Sequence, residues 1–401
     1  MEAARLKEDR REQASMAHNL AVALYQMGDY PAAHRYYQQA GTSFEELGAK
    51  QEQSAVLHQL GMLAQDQGDY PAARRYYEQS LEMAQALGDK AGVAKSWHHL
   101  GYVAYLQGDY PVARRYYEQS LEIKQSLGDK AGVAKSWHQL GMLAQDQGDY
   151  PAARRYYEQA LATFKELGAR WEPSAVLHNL GALAQAQGDY PAAHRYYQQS
   201  LEIAQALGDK AGVASTLHQL GMLAQDQGDY PSAHRYYEQS LEIAQALGDK
   251  AGVAKTLHNL GILAENQGDY QAARHYCEQA LEIDQGLGDK LEIARVTHTL
   301  GMLAQDQGDY TAARRYCEQS LEIKQALGDK AGVAISLGQL GKLAEAEGKL
   351  EEAVRLWLAA VAIFQELGSP YLKLASSDLA RAREKLGEAR FEALVREAVS
   401  G

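Results

Sequence analysis

The residues best suited to chemistry are eight histidines that occupy one position of a repeating pattern. They lie 40 residues apart, at His18, His58, His98, His138, His178, His218, His258 and His298. Imidazoles bind transition metals, but the ligands of one ion must all lie about 2 Å from it. Because equivalent positions of successive helical repeats are much farther apart, we expect no metal site. We interpret the histidines as polar groove residues that were copied when the repeats were duplicated. At most, we expect their protonation to give the protein a weak response to pH near 6.5, the usual pKa of imidazole.

Other catalytic arrangements are missing from the sequence. There is no Gly-x-Ser-x-Gly turn, no phosphate-binding Walker loop and no His-Glu-x-x-His pair. Four aspartates recur every 80 residues, too far apart for paired acid–base work: Asp66, Asp146, Asp226 and Asp306. Four Arg-Arg pairs stand beside Glu at helical spacing, which is typical of a solvated helix face. The sequence therefore predicts a non-enzymatic protein that needs no cofactor.

Two cysteines, Cys277 and Cys317, fill the same slot of successive repeats. A disulfide requires Cα atoms within about 7 Å of each other, whereas stacked helical repeats separate equivalent positions by roughly 20 Å. We therefore interpret both as reduced packing residues in place of a tyrosine. Reduced cysteines are typical of the cytoplasm, which is the expected location.

Composition narrows the classes of partner. The 401 residues carry a formal net charge of −12, with acidic and basic residues interspersed. An acidic chain of this kind disfavours nucleic acid as a partner. No apolar run approaches the 18 residues of a membrane span, and we expect no membrane partner either. The sequence leaves the oligomeric state open.

The sequence repeats with a strict period of 40 residues, and this repeat predicts the architecture that positions the residues above. Gly-Asp-Tyr begins at Gly28 and recurs every 40 residues to Gly308, and Gly348 begins a ninth, altered copy. A constant period of this length indicates a solenoid in which each unit buries its apolar face against its neighbours. We expect residues 1–368 to form a nine-repeat array and residues 369–401 to form C-terminal capping helices.

Each repeat is predicted to contain two antiparallel helices. In the third copy, Val93, Trp97 and Leu100 follow the spacing of an amphipathic helix that begins after Asp89. Gly108 ends that helix, and a second helix follows Pro111. We expect Gly101 to be small because two helix backbones approach each other there.

These residues resemble the tetratricopeptide repeat (TPR) family. The segments from Trp97 and from Trp137 match its W-x2-L-G opening, and Ala113-x3-Tyr117 matches its A-x3-F. The 40-residue units resemble those of kinesin light chain, of LGN-type spindle proteins and of bacterial sensor arrays. The resemblance implies an all-α fold, a right-handed superhelical TPR solenoid of nine helix-turn-helix repeats. It also implies that first helices line a concave groove that takes peptide or helix ligands.

The groove-lining positions differ among otherwise similar copies. The third copy is aromatic and apolar, whereas its sibling copies are polar at the same positions, and exposed aromatic residues often mark binding sites. Carboxamides at a neighbouring position can bind peptide backbone, and the alternative is that the aromatic rings pack only on each other. The predicted ligand-binding groove contains Asn19, Tyr25, His58, Lys95, His98, His99, Tyr102, Tyr105, Leu106, Lys135, His138 and Asn179.

Two functions fit this pattern. The first is a non-enzymatic scaffold that binds a protein or peptide segment in the concave groove. The alternative is a ligand-sensing regulatory module of a bacterial signalling or defence system, acting on a separate or fused effector. The presence of an effector domain or partner chain would distinguish them.

Overall fold

Capping residues set the ends of the helices. In the third repeat, the Asp89 carboxylate accepts a hydrogen bond from the backbone N–H of Gly92 at 3.0 Å, which begins the first helix. The Asp109 carboxylate accepts from Val112 N–H at 3.3 Å and begins the second helix, with Pro111 in its first turn. The turns before these caps place Gly88 and Gly108 at φ values of +68° and +75°, in the left-handed region that favours glycine. Local sequence alone therefore defines both hairpin turns.

The computed structural model describes residues 2–400, and the side chains of residues 7–398. Within that range the chain forms twenty helices and no strand. The first helices of the nine repeats are α1 (Glu2–Gln26), α3 (Lys50–Asp66), α5 (Lys90–Leu106), α7 (Lys130–Asp146), α9 (Glu172–Ala186), α11 (Lys210–Asp226), α13 (Lys250–Asn266), α15 (Lys290–Asp306) and α17 (Lys330–Ala346). The second helices are α2 (Tyr30–Glu46), α4 (Tyr70–Leu87), α6 (Tyr110–Ser126), α8 (Tyr150–Glu166), α10 (Tyr190–Leu207), α12 (Tyr230–Leu247), α14 (Tyr270–Leu287), α16 (Tyr310–Leu327) and α18 (Leu350–Glu366). Two more helices follow, α19 (Leu372–Leu386) and α20 (Glu388–Ser400). The predicted all-α array of nine helix pairs is confirmed.

The chain divides into two compact units, Met1–Ile203 and Ala204–Gly401. In the first unit consecutive helices from α1 to α9 pack on one another, and α7 also contacts α9. In the second unit, consecutive helices from α11 to α19 pack in the same way, and α11, α13 and α15 contact one another in turn. First helices of consecutive repeats are thus neighbours along one face of each unit.

The small residues of the first helices make room for an aromatic ring. A Cβ added to Gly101 would stand 2.8 Å from a ring carbon of Tyr117, which is fully buried. The nearest atoms at Gly101 belong to the tyrosine ring, whereas at the equivalent Gly261 the backbone oxygen of Ala273 would also lie 3.1 Å from an added Cβ, so both the ring and the facing backbone require a small residue. In the seventh repeat the free, buried Cys277 takes the place of this tyrosine, and its Sγ would lie 2.5 Å from a Cβ on Gly261. The predicted packing role of the cysteines is confirmed.

The last two helices pack against α18. Leu379 and Ala382 of α19 and Leu394 of α20 are buried in one cluster with Trp357. Arg381 reaches back to the carboxylate of Glu345 on α17 at 2.9 Å. Both helices follow residue 368, and the division into an array over residues 1–368 and a cap over residues 369–401 stays a prediction; Gly401 lies outside the described residues.

None of the helices described is both long and apolar enough to cross a membrane.

Candidate functional site

The predicted lining residues of α5 lie on one stripe of that helix. Lys95, His98, Tyr102 and Tyr105 follow one another at intervals of three or four residues, which puts them on one helix face. The alternate positions Leu100 and Val103 are buried in the core. We call the side of the first unit formed by these positions on α1, α3, α5 and α7 the first-helix face.

A pocket opens on this face between α5, α6 and α7. Its volume is ≈ 680 Å³. Four predicted residues meet there, Lys95, His98 and His99 from α5 and Lys135 from α7. The remaining lining residues are Ala91, Ala94, Lys124, Leu127, Asp129, Ala131 and Gly132. We call this site the Lys124 pocket.

Lys124 is the residue that sequence analysis missed. It comes from the second helix α6, it is 9% exposed, and its Nζ donates to Ser136 Oγ at 3.1 Å. Burial lowers the pKa of Lys124 to about 8, although the nearby Asp129 carboxylate acts in the opposite direction. The signal in the sequence was a lysine at a position that most copies fill with alanine or phenylalanine.

The imidazoles beside the pocket form a neutral cluster. The His58 and His99 ring centroids lie 4.6 Å apart, and those of His98 and His99 lie 5.5 Å apart. Burial, with a contribution from nearby lysines, lowers the pKa of His99 to about 4 and that of His58 to about 2. The expectation of titration near pH 6.5 is therefore wrong for these rings, which are uncharged at neutral pH.

The aromatic residues of α5 extend the stripe away from the pocket. Tyr102 and Tyr105 stack with centroids 6.3 Å apart, and Leu106 is 37% exposed. The Tyr105 hydroxyl donates to the Asp146 carboxylate of α7 at 2.5 Å. Tyr105 therefore links two repeats in addition to presenting an aromatic ring.

The same link occurs between the first two repeats, far from the pocket along the first-helix face. The Tyr25 hydroxyl donates to Asp66, and this bond joins α1 to α3. Asn19 is exposed on α1, six residues before Tyr25, and does not line the pocket. These two predicted residues share the face with the pocket but are not brought into it.

The last two predicted residues bind each other. Asn179 Nδ2 of α9 donates to His138 Nε2 of α7 at 2.8 Å. The same bond occurs in the second unit, where Asn259 Nδ2 donates to His218 Nε2 at 3.0 Å. The carboxamides of this position thus join neighbouring first helices of the array.

Pockets equivalent to the Lys124 pocket occur in the second unit. One includes Ala214, Ser215, His218 and Ala244, which stand 120 residues after Ala94, Lys95, His98 and Lys124. Another includes Ala334, Ile335, Gly338 and Phe364, a further 120 residues along. The position of Lys124, which we call the floor position, is filled by Ala244 and Phe364 in these two pockets. The same place between repeats therefore presents a different chemical group in each of the three pockets.

Groups of three or more His, Cys, Asp or Glu side chains with a geometry suited to a metal ion were not found among the described residues. The polar groups that do converge in the Lys124 pocket are three amines, two neutral imidazoles and one carboxylate, that of Asp129. Such an arrangement suits recognition of an anionic group by charge and hydrogen bonds.

Comparison with solved structures gives the same architecture at low sequence identity. The apo form of the quorum sensor NprR from B. thuringiensis has a TM-score of 0.60 at 12% identity, over 90% of this chain and 99% of that chain. The Rap conjugation gene regulator of plasmid pLS20, in complex with the Phr* peptide, has a TM-score of 0.55 at 16% identity, over 72% and 77%. A signal transduction ATPase with numerous domains from Pyrococcus horikoshii, which carries a tetratricopeptide repeat sensor, has a TM-score of 0.50 at 15% identity, over 81% and 54%. A search of the curated proteins found no match by sequence.

Models of the tetratricopeptide repeat match most of the chain. One matches residues 52–126, 132–206, 173–246, 212–286 and 292–366, and a second matches residues 13–43. The matched segments cover most residues of the helix pairs described above, including all of α5 and α6 and nearly all of α7 around the Lys124 pocket. The chain therefore belongs to the tetratricopeptide repeat family.

Proposed function

We propose that the chain is a non-enzymatic scaffold that binds a peptide or protein segment along the first-helix face of the unit Met1–Ile203. The observation that carries the proposal is the convergence of Lys95, His98, His99 and Lys135 on one open pocket. The stripe continues from that pocket to partly exposed Tyr102 and Leu106. Binding sites commonly combine an apolar surface with a small number of polar groups that fix the orientation of the ligand.

The comparison with solved structures supports a peptide as the ligand class. The Rap regulator of similar fold was solved with the Phr* peptide bound. The likeness at 16% identity concerns the fold alone, so the support is that a helical-repeat array of this architecture can hold a peptide.

A binding selection tests the proposal. The full chain is used to select from a displayed library of random 15-residue peptides, and the affinity of a selected peptide is measured by calorimetry. We expect Tyr102→Ala to weaken binding about tenfold, as for an anchor residue at an interface. Tyr102 suits this test better than Tyr105, since the Tyr105 hydroxyl also bonds Asp146.

The matched control is Arg75→Ala, an exposed residue of the second helix α4. Its affinity for the selected peptide should equal that of the unmodified chain. If Tyr102→Ala bound the peptide normally while Arg75→Ala did not, the ligand face would be on the second helices and the proposal would be wrong.

A regulatory sensor is the second candidate function. A tetratricopeptide repeat sensor occurs in the signal transduction ATPase of similar fold, which favours this candidate. In such a role, peptide binding would alter an effector on the same or another chain. Co-expression with the product of a neighbouring gene, with and without the selected peptide, separates the candidates: a sensor changes its association with the effector when the peptide binds, whereas a scaffold does not.

A further inference from the structure

The Lys124 pocket carries an excess of positive charge on an acidic protein. The titratable groups that line it are Lys95, Lys124 and Lys135, the imidazoles of His98 and His99, and the carboxylate of Asp129. Burial lowers the pKa of both imidazoles well below neutrality, so they add no charge at pH 7. Three ammonium groups and one carboxylate leave a net charge of about +2, whereas the whole chain carries −12.

This charge has no counter-ion within the described part of the chain. None of the ion pairs found there includes Lys95, Lys124 or Lys135. Lys124 Nζ donates to a neutral hydroxyl, that of Ser136, and Lys135 Nζ lies 5.9 Å from the ring centroid of Trp171. The Asp129 carboxylate already accepts the N–H of Gly132 at 2.8 Å as a helix cap.

One ring nitrogen of a lining histidine also makes no hydrogen bond. His98 Nδ1 is buried without a partner among the described residues, and so is the equivalent His298 Nδ1 near Lys324, so this nitrogen does not distinguish the pocket. The buried ammonium group of Lys124 has one carboxylate nearby, that of Asp129, which lines the pocket together with two further lysines. Because buried charge is costly unless it is balanced, an anionic ligand would offset the charge that Asp129 leaves unbalanced.

We infer that the Lys124 pocket binds a phosphate monoester, either a small phosphorylated molecule or a phosphorylated residue of a peptide. A phosphate monoester carries nearly two negative charges at neutral pH and has three acceptor oxygens, which match a net charge of about +2 and three ammonium donors. A single carboxylate would leave one positive charge unbalanced. The inference rests on the proposed function only in placing the ligand on the first-helix face.

The chain contains a matched control site in its second unit. Lys324 is equally buried and donates to Ser336 Oγ at 3.0 Å, as Lys124 does to Ser136. Ile335 stands there in place of Lys135, and Arg295, in place of Lys95, is paired with Glu292 at 2.8 Å. The second site therefore has the buried lysine without the excess charge.

Calorimetry at constant ionic strength tests the inference with inorganic phosphate, acetate and a phosphoserine peptide. We expect saturable binding of inorganic phosphate and none of acetate. Lys124→Met should weaken phosphate binding at least tenfold, and Lys324→Met should leave it unchanged. The double variant Lys95→Gln/Lys135→Gln should also weaken phosphate binding about tenfold. Because both positions are exposed, this variant still tests the inference if Lys124→Met does not fold.

The two sources of phosphate give different results. Tighter binding of the phosphoserine peptide than of inorganic phosphate identifies a phosphorylated segment, and equal affinity identifies a small phosphorylated ligand. Equal binding of acetate and phosphate, or unchanged phosphate affinity in Lys124→Met and in the double variant, would overturn the inference. A selected unphosphorylated peptide that still depends on Tyr102 would keep the proposed function intact in that case.

Discussion

Gly181 lies directly against the ring of Tyr197, and a Cβ added to this glycine would stand 2.6 Å from two of the ring carbons. Real Cβ atoms do not approach that closely, so any side chain at residue 181 must displace the buried tyrosine. We expect Gly181→Leu to destabilise the protein by about 1–3 kcal/mol through overpacking. Urea denaturation followed by circular dichroism measures the change.

Gly286→Ala is the control for that substitution. Gly286 lies on α14 with no atom within 4 Å of its added Cβ. Alanine there should leave stability unchanged or raise it by up to about 1 kcal/mol, because glycine is a poor helix former. A loss in Gly286→Ala equal to that in Gly181→Leu would show that the contact with the tyrosine ring does not explain the cost of replacing Gly181.

Two equivalent tyrosines differ in one hydrogen bond. The Tyr157 hydroxyl donates to Gln145 Oε1 at 3.1 Å, whereas the buried Tyr117 hydroxyl has no partner within the described residues, since Tyr105 replaces the glutamine. We expect Tyr157→Phe to cost about 1 kcal/mol and Tyr117→Phe to be neutral or slightly stabilising. The difference between their urea midpoints checks this, and a larger loss for Tyr117→Phe would contradict it.

Asp284 is a buried acid with an unfavourable environment. Burial, with Glu292 and Asp289 nearby, raises its pKa to about 6. The folded chain therefore holds this proton more tightly than the unfolded chain, in which the pKa is about 3.9. Ionised Asp284 lowers stability above pH 6, and this penalty disappears as the pH falls below about 4.

Asp284→Asn should accordingly stabilise the protein by about 1–3 kcal/mol at pH 7.5 and have little effect at pH 4. Denaturation at both pH values measures the two differences. Glu282→Gln, at an exposed position of the same helix, is the control and should show no such pH dependence. A benefit of Asp284→Asn that was equal at both pH values would exclude the ionised carboxylate as its cause.

The bond between Tyr105 and Asp146 joins the third and fourth repeats. A double-mutant cycle with Tyr105→Phe and Asp146→Asn should give a coupling energy of about 0.5–1.5 kcal/mol, because both residues are partly exposed to water. The same cycle with Tyr102→Phe in place of Tyr105→Phe should give no coupling. Coupling of equal size in both cycles would indicate that ring stacking and not the hydroxyl connects the repeats.

The fold could be predicted almost completely because its determinants are local. Asp89, Gly108 and their copies recur at a fixed spacing, and each sets a helix end through its own backbone and nearest neighbours. The interior was less predictable. The explanation for Gly101 was incomplete, since the sequence shows that a position is small but does not show that the Tyr117 ring lies against it.

The candidate site could be predicted only along a single helix. Lys95, His98 and His99 share α5, so helical periodicity placed them together. Lys124 comes from the next helix, and its entry into the same pocket depends on how α6 meets α7. The low pKa of His99 likewise depends on burial by neighbouring repeats, which periodicity does not describe.

The Gly-Asp junctions that most repeats share have a consequence for how such a gene can change. Turns such as Gly88-Asp89 and Gly128-Asp129 carry the same left-handed glycine and the same aspartate cap. A crossover between any two such copies joins compatible ends, so recombination can add or remove whole repeats without disturbing a turn. Recombination does change the order in which residues such as Lys124, Ala244 and Phe364 follow one another at the floor position. Selection can therefore change the order of the pockets along the array while the fold stays the same.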